Sequence, residues 1–312
     1  MDRDVLAIVG PTASGKTAVA IEVARRIGGE IVSVDSRQVY RGMDIGTAKP
    51  SVAEQRGVPH HGFDLIDPDE RYSAGRFARD AWRWIDAIRA GGRVPILAGG
   101  TGFFLRALTH PMFDEPTAPA ARRESLKQWL RGVDEERLRR WAALLDPGGG
   151  WDVGRPGGRQ RMARAVEVAL LTGRSLGDWQ RQPAAARVLD PLLFVLELPR
   201  PMLRSRIDQR VDSMVAHGLA AEVAGLLARG YTAQDPGMSA TGYAELVPYV
   251  QGESALEEAL EQVRAATRRY ARRQATWFRH QLPAGAVRID ATRSVPEIAD
   301  EIVDRWSGEE QA

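Results

Sequence analysis

The apolar run Val5-Leu6-Ala7-Ile8-Val9 leads directly into Gly10-Pro11-Thr12-Ala13-Ser14-Gly15-Lys16-Thr17. That spacing is the phosphate-loop pattern G-x-x-x-x-G-K-[ST], which demands a buried strand, a tight glycine turn and a helix in that order. The glycines let backbone N–H groups turn inward around phosphate oxygens, Lys16 adds charge at the outer phosphate, and Thr17 holds a magnesium ion while opening the helix. Ala18, Val19, Ile21, Val23, Ala24 and Ile27 then give a mostly apolar helix closed by Gly28-Gly29, so the motif has its structural context. A polyphosphate is implied; whether it is ATP, GTP or something else is left open by the loop.

With 312 residues, 44% of them apolar, the chain can bury a sizeable core, and its length suits one large α/β domain carrying a smaller one. The absence of cysteine excludes disulfides, thiolate metal sites and a cysteine nucleophile. No run of about 18 apolar residues and no charged-then-apolar leader is visible, so the expectation is a cytoplasmic enzyme with no membrane partner. Net charge is only +2, yet just three of the 43 basic side chains are lysines (Lys16, Lys49 and Lys127). Base composition of the gene accounts for most of that bias, so the informative feature is where the arginines cluster.

Strands are expected at Val5 to Val9, Glu30 to Val34, Val94 to Ala98 and Leu192 to Leu198, with helices at 16–27, 74–90, 202–229 and 255–282. Such alternation predicts an α/β fold: a P-loop NTPase-like, doubly wound parallel sheet. From 117 to 182 the pattern is helical, with Trp129, Trp141, Trp151 and Trp179 and the breaker Asp146-Pro147-Gly148-Gly149-Gly150. The expected organisation is a core beginning at 1–115, a helical insertion over 116–185, and core completion with basic helices over 186–312. Gly308 to Ala312 reads as a frayed polar end.

The second strand delivers Asp35. Ligands collect at the carboxyl ends of strands in such sheets, so Asp35 faces the phosphate-loop crevice, as magnesium ligand or general base, unless it merely caps a turn. The third strand ends in Gly99-Gly100-Thr101-Gly102 and carries no acid, which disfavours a standard ATPase. Thr101 offers a hydroxyl to an anion. After Pro201, Arg206 and Arg210 lie four apart beside Ile207 and Val211, placed either to neutralise a phosphate or to pair with Asp208 and Asp212 on a solvated face. Between Ala266 and Arg279, five arginines interleave with Tyr270, Trp277 and Phe278, a pattern suited to a nucleic-acid backbone or, more plainly, to a solvated helix paired with Glu257, Glu258 and Glu261. Gly158 to Arg164 is a third basic spot. His60-His61 lacks ligand-spaced partners and reads as structural or at most substrate-lining.

Together the phosphate loop and Asp35-Ser36-Arg37-Gln38-Val39-Tyr40-Arg41-Gly42-Met43-Asp44-Ile45-Gly46-Thr47-Ala48-Lys49-Pro50 resemble the tRNA dimethylallyltransferase family. Pro59-His60-His61, Tyr72-Ser73-Ala74, Gly99 to Gly102, Arg161 to Val168, Gly242-Tyr243 and the run at 273–279 agree in order, so the resemblance covers nearly the whole chain. It implies transfer of a five-carbon prenyl group from dimethylallyl diphosphate to N6 of adenine 37 in the tRNA anticodon loop. Diphosphate binding is then expected from Gly10, Thr12, Ala13, Ser14, Gly15, Lys16, Thr17 and Arg210, with Arg210 favoured over Arg206. Catalysis would fall to Asp35, Thr17, Thr101 and Arg210, with Mg2+ on Thr17.

The resemblance also implies tRNA contacts at Asp35, Ser36, Arg37, Gln38, Thr101, Arg123, Gln160, Arg161, Met162, Ala163, Arg164, Met238, Ser239, Ala240, Thr241, Gly242 and Tyr243, and a monomer. Three positions depart from the family pattern: Pro156-Gly157-Gly158 ahead of the insertion motif, Ala244 where a lysine is usual, and Phe103-Phe104 after the glycine loop. Two other readings compete. A small-molecule kinase or a prenyltransferase of free adenylate would need neither the basic insertion nor the arginine-aromatic helix, and a non-catalytic RNA-binding module would not need Lys16 and Asp35 facing one crevice.

Overall fold

The computed structural model describes residues 4–110, 119–149, 158–181 and 187–310. It divides into two compact units, Met1–Thr109 with Leu189–Ala312, and His110–Val188. In the first, β1 (Leu6–Val9), α1 (Lys16–Ile27), β2 (Gly29–Val34), α2 (Val52–Gln55), β3 (His60–His61), α3 (Ala74–Ala90), β4 (Val94–Gly99) and α4 (Gly102–Thr109) precede the insertion.

Within the insertion lie α5 (Ala120–Arg131), α6 (Glu135–Leu145), α7 (Gly158–Thr172) and α8 (Leu176–Arg181). The first unit then resumes with β5 (Leu192–Glu197), α9 (Arg200–Ala216), α10 (Leu219–Ala228), α11 (Tyr243–Val250), α12 (Leu256–Gln281), β6 (Val287–Asp290) and α13 (Val295–Glu310).

The strands form one parallel sheet in the order β3-β2-β4-β1-β5-β6. Apolar residues on both faces of the inner strands β2, β4, β1 and β5 explain why these read as apolar runs rather than alternation. Val5, just before β1, joins Ala7 and Val9 of β1 in a core with α3, α4 and α10 to α12, while Leu6 and Ile8 join α1 and α13 on the opposite face. Helices on both faces make the fold doubly wound. Register then sets the site: Val9 and Val34 both pair with Gly99, so Gly10, Asp35 and Gly100 leave the sheet side by side.

Two sequence expectations are corrected. The helix over 202–229 is two helices bent by 57°, because Gly218 takes a left-handed conformation (φ 93) that ends the first. The polar end is not frayed at Gly308: α13 runs to Glu310, anchored by buried Ile298, Ala299, Ile302 and Trp306, each large apolar side chain contributing about 1.5–3 kcal/mol of burial. Gln311 and Ala312 lie outside the described residues. His60-His61, read from the sequence as structural, forms an edge strand, with His61 Nε2 2.7 Å from Glu30 Oε2.

In the helical unit, Leu130, Leu138, Ala142, Met162, Ala165 and Val166 form a separate core. All its elements among the described residues are helices. Gly150, Trp151, Pro156, Gly157 and the boundaries expected at 115/116 and 185/186 lie outside those residues. Arg159, part of the basic spot, caps the end of α5: its Nη2 donates to the carbonyls of Leu130, Arg131 and Val133. Among the described residues no single helix is long and apolar enough to cross a membrane.

Candidate active site

The phosphate loop is built by close approach. A Cβ on Gly10 would stand 2.9 Å from the Leu196 carbonyl and 2.9 Å from Ser14 Oγ, so only glycine lets β1 turn beside β5. Ala13 (φ 63) and Gly15 (φ 89) are both left-handed, which coils the loop into the start of α1. Ser14 Oγ is buried with no hydrogen-bond partner, and a polar atom in that state is free to bond a ligand oxygen.

Lys16 and Arg210 bring two cations into the same crevice. Desolvation pulls the Lys16 ammonium down to about 8; nearby Asp35 opposes the shift and Arg210 reinforces it. Desolvation likewise lowers the Arg210 guanidinium, again opposed by Asp35. Lys16 keeps partial solvent access through the cavity it lines, and Lys16 Nζ donates to the Pro11 carbonyl at 3.3 Å. Arg206, one turn earlier, donates to the Ala291 carbonyl at 3.2 Å, with its other Nη beside Gly15.

The carboxyl end of β2 is tied to the glycine loop after β4. Asp35 Oδ1 accepts the Arg37 N–H at 2.8 Å, and Thr101 Oγ1 accepts the Ser36 N–H at 3.0 Å and donates to Ser36 Oγ at 3.3 Å. Arg37 donates to the Pro236 carbonyl and Ser239 Oγ, while Gln38 donates to the Thr47 and Ala48 carbonyls and accepts from Ser33 Oγ.

Helix α12 closes the crevice, and two of its residues have site roles that the sequence alone did not reveal. Gln274 accepts the Thr12 N–H at 2.8 Å and donates to the Gly100 carbonyl at 2.9 Å, joining both glycine loops. The Tyr270 phenol is hydrogen-bonded to Thr101 and pushed up to about 12, first by burial and then by Asp35, so it stays protonated. Gly102 packs so tightly on Trp277 that a Cβ would meet the indole at 2.3 Å. The aromatics and arginines of this helix therefore separate: Phe278 is buried and Trp277 packs inward, while Arg269, Arg272, Arg273 and Arg279 are exposed. Gln274 could have been found from its position on the apolar stripe Ala259, Val263, Ala266, Ala271, Phe278, where a polar side chain needs buried partners.

A cavity of about 220 Å³ results, lined by Thr12, Lys16, Thr17, Asp35, Arg210 and Tyr270 among others. Ser239, Ala240, Thr241 and Gly242 of the strip 238–243 also line it, but not as a row of exposed side chains. Met238, Ala240 and Tyr243 are buried in the core, and only Ser239 is exposed, with Thr241 partly so. In the helical unit, Met162 is likewise core rather than surface. Gln160 and Arg161 are exposed, Ala163 is half-buried, and Arg164 and Arg123 stand 3.1 and 3.6 Å from the buried Glu167 carboxylate.

Sequence comparison agrees with this geometry. Residues 38–281 match the family model described as IPP transferase, and residues 3–61 match that described as isopentenyl transferase. The tRNA dimethylallyltransferase of Thermomicrobium roseum is 45% identical over 89% of this chain and 84% of its own, and that of Staphylococcus carnosus is 41% identical over 96% and 95%. Among solved structures, the full-length tRNA isopentenylpyrophosphate transferase of Bacillus halodurans superposes with TM-score 0.71 at 35% identity, covering 99% of both chains. A eukaryotic dimethylallyltransferase acting on tRNA superposes with TM-score 0.78 at 26% identity, over 92% of this chain and 73% of its own. The chain belongs to the IPP transferase family, alongside the tRNA dimethylallyltransferases.

Proposed function

We propose that the protein transfers the dimethylallyl group of dimethylallyl diphosphate to N6 of adenine 37 in the tRNA anticodon loop, releasing diphosphate. The observation that supports this most directly is the pair of desolvated cations, Lys16 and Arg210, beside a single carboxylate, Asp35, in a phosphate loop whose neighbouring strand β4 ends without an acid. Such a site suits a departing polyphosphate and a proton-bearing acceptor better than NTP hydrolysis.

As the bond from the allylic carbon to the bridging oxygen breaks, negative charge builds on the diphosphate. Lys16, Arg210, the loop N–H groups of Gly10, Thr12, Ala13, Ser14 and Gly15, and the hydroxyls of Ser14 and Thr17 meet that charge without reorganising. N6 then forms its bond to the allylic carbon, and its surplus proton passes to Asp35. An exocyclic amine is a weak nucleophile, so Asp35 contributes by orienting the amine as well as by accepting the proton. Thr101, held by Ser36 and Tyr270, places its hydroxyl at the same rim.

Magnesium fits the donor set. The unsatisfied Ser14 Oγ marks a place prepared for phosphate oxygens, and no cluster of three acidic or histidine ligands exists among the described residues. Thr17 would hold the ion together with diphosphate and water, and the ion would neutralise leaving-group charge. Bases flanking the extruded adenine would meet Ser36, Arg37, Gln38, Ser239, Thr241 and Gly242, with the backbone following Arg269, Arg272, Arg273 and Arg279. In the helical insertion, Arg123, Gln160, Arg161, Ala163 and Arg164 would be the tRNA contacts. The protein would act in the cytoplasm as a monomer.

Incubation with labelled dimethylallyl diphosphate, Mg2+ and either unmodified tRNA or free adenine nucleotides tests the reading. Label appearing on tRNA is expected. Label on AMP alone, or ATP consumption with no prenyl transfer, would overturn it.

A further inference from the structure

Segment 44–48 forms a turn that shapes three cavities at once. Gly46, Thr47 and Ala48 line the 220 Å³ crevice with Lys16, Thr17 and Arg210; Asp44, Ile45 and Ala48 line a wider cleft of about 1040 Å³ with Gly15 and Arg210; and Ala48 and Lys49 line a third space with Gly15, Lys16 and Thr17. Ala48, common to all three, is left-handed (φ 49), a conformation that a residue bearing a Cβ keeps only when its surroundings hold it there. Yet Asp44 is exposed and residues 45–48 are only half-buried, so the packing of Ile45 on the core and of Gly46 on Tyr243 does not by itself fix the turn's backbone N–H groups.

What fixes them is one carboxylate from α10. Glu222 Oε2 accepts the N–H groups of Asp44 and Ile45, both at 2.9 Å, and Oε1 accepts that of Gly46 at 3.2 Å and the hydroxyl of Tyr243. Tyr243, at the start of α11, is buried, and its ring packs so closely on Gly46 that a Cβ there would meet it at 2.4 Å. Beyond the turn, Lys49 Nζ bridges Asp44 and Asp64, and Gln38 takes the Thr47 and Ala48 carbonyls. Four donors on one side chain thus convert a half-exposed turn into a rigid wall of the phosphate site.

We infer that Glu222, braced by the Tyr243 hydroxyl, is a positioning residue for the donor: it holds the 44–48 wall against the Lys16 and Arg210 crevice. Neither residue touches the reacting atoms. The inference rests on the diphosphate-donor reading of that crevice, and it assigns Tyr243 to the donor side rather than to RNA.

The test uses the full chain. Binding of inorganic diphosphate with Mg2+ is measured by calorimetry without RNA, and binding of an unmodified anticodon stem-loop is measured without donor. Each lost hydrogen bond is worth about fivefold, so Glu222→Gln is expected to weaken diphosphate binding about five- to tenfold and Tyr243→Phe about two- to fivefold, with stem-loop affinity within about twofold of the parent. Tyr243→Phe keeps the ring on Gly46 and keeps the test intact if Glu222→Gln does not fold. Unchanged diphosphate affinity in the folded variants, or equal losses for both ligands, would overturn the inference. If the parent protein binds diphosphate but prenylates no tRNA, the functional reading falls while the clamp is still judged by the diphosphate titration.

Discussion

Each unit buries charge, but with opposite sign. The sheet unit desolvates two cations, Lys16 and Arg210, around Asp35. Among the described residues the helical unit buries two carboxylates: Asp146, which accepts the Gly177 N–H, and Glu167, with Arg164, Arg123 and Lys127 at 3.1, 3.6 and 3.9 Å. Glu167 is already paired in charge, although its Oε1 accepts no hydrogen bond, and it joins α5 to α7. Buried cations in excess of their carboxylate are not, an imbalance that an anionic ligand would correct. Substitutions in the first site should therefore cost function, and in the second, stability.

Asp35→Ala gives the largest expected effect. Transfer measured in single turnover falls about 10³-fold, the range for a lost acid-base and orienting group, while tRNA affinity stays within about twofold. Normal turnover in this variant would remove Asp35 from the reaction. Arg210→Met comes next: donor kcat/KM drops about 10²-fold, yet the thermal midpoint does not fall, because a desolvated cation is replaced by an apolar chain of similar length. Arg206→Met, by contrast, breaks the bond to the Ala291 carbonyl and removes a cation beside Gly15, and should leave donor kcat/KM within about threefold. Reversal of that order would move the diphosphate to the other arginine.

The sequence made one half of this contrast legible. Unbroken apolar runs marked the buried parallel strands, and the end of each run located the phosphate loop, Asp35 and Thr101 on one edge. Gln274 stayed hidden as a site residue because its partners, Thr12 and Gly100, lie 262 and 174 positions away, and no local pattern encodes such pairing. The block around Gly242-Tyr243 was recognisable, but a motif does not say which members touch a ligand and which hold the backbone. Burial does, and it moves Met238, Ala240, Tyr243 and Met162 into the core. Strand β6 is four residues long with Arg288 and Asp290 exposed, too short and polar to stand out.

A smaller effect follows from Lys16. Its folded-state value lies below the ordinary lysine value, so the ammonium is present below about pH 8 and lost above it. The charge grips the diphosphate only when present, so donor affinity should fall about tenfold between pH 7 and pH 9. Lys16→Arg, which stays charged throughout, should bind more weakly but show a flatter profile. An equally steep profile in that variant would assign the titration to another group.

The smallest functional effect belongs to Glu167→Gln, and it completes the contrast. Removing the carboxylate leaves three cations facing one another, but their side chains are 24–31% exposed and partly rehydrate. The expected cost is thus about 1–2 kcal/mol, below the usual penalty for breaking a fully buried pair. It should appear in the helical unit alone. Trp129 and Trp141, stacked with centroids 5.3 Å apart, lie in that unit and report its unfolding by fluorescence in a denaturant titration. Diphosphate affinity should not change. A Glu167→Gln protein with parental stability but weakened diphosphate binding would break the division, since a carboxylate in the helical unit would then be acting on the donor crevice.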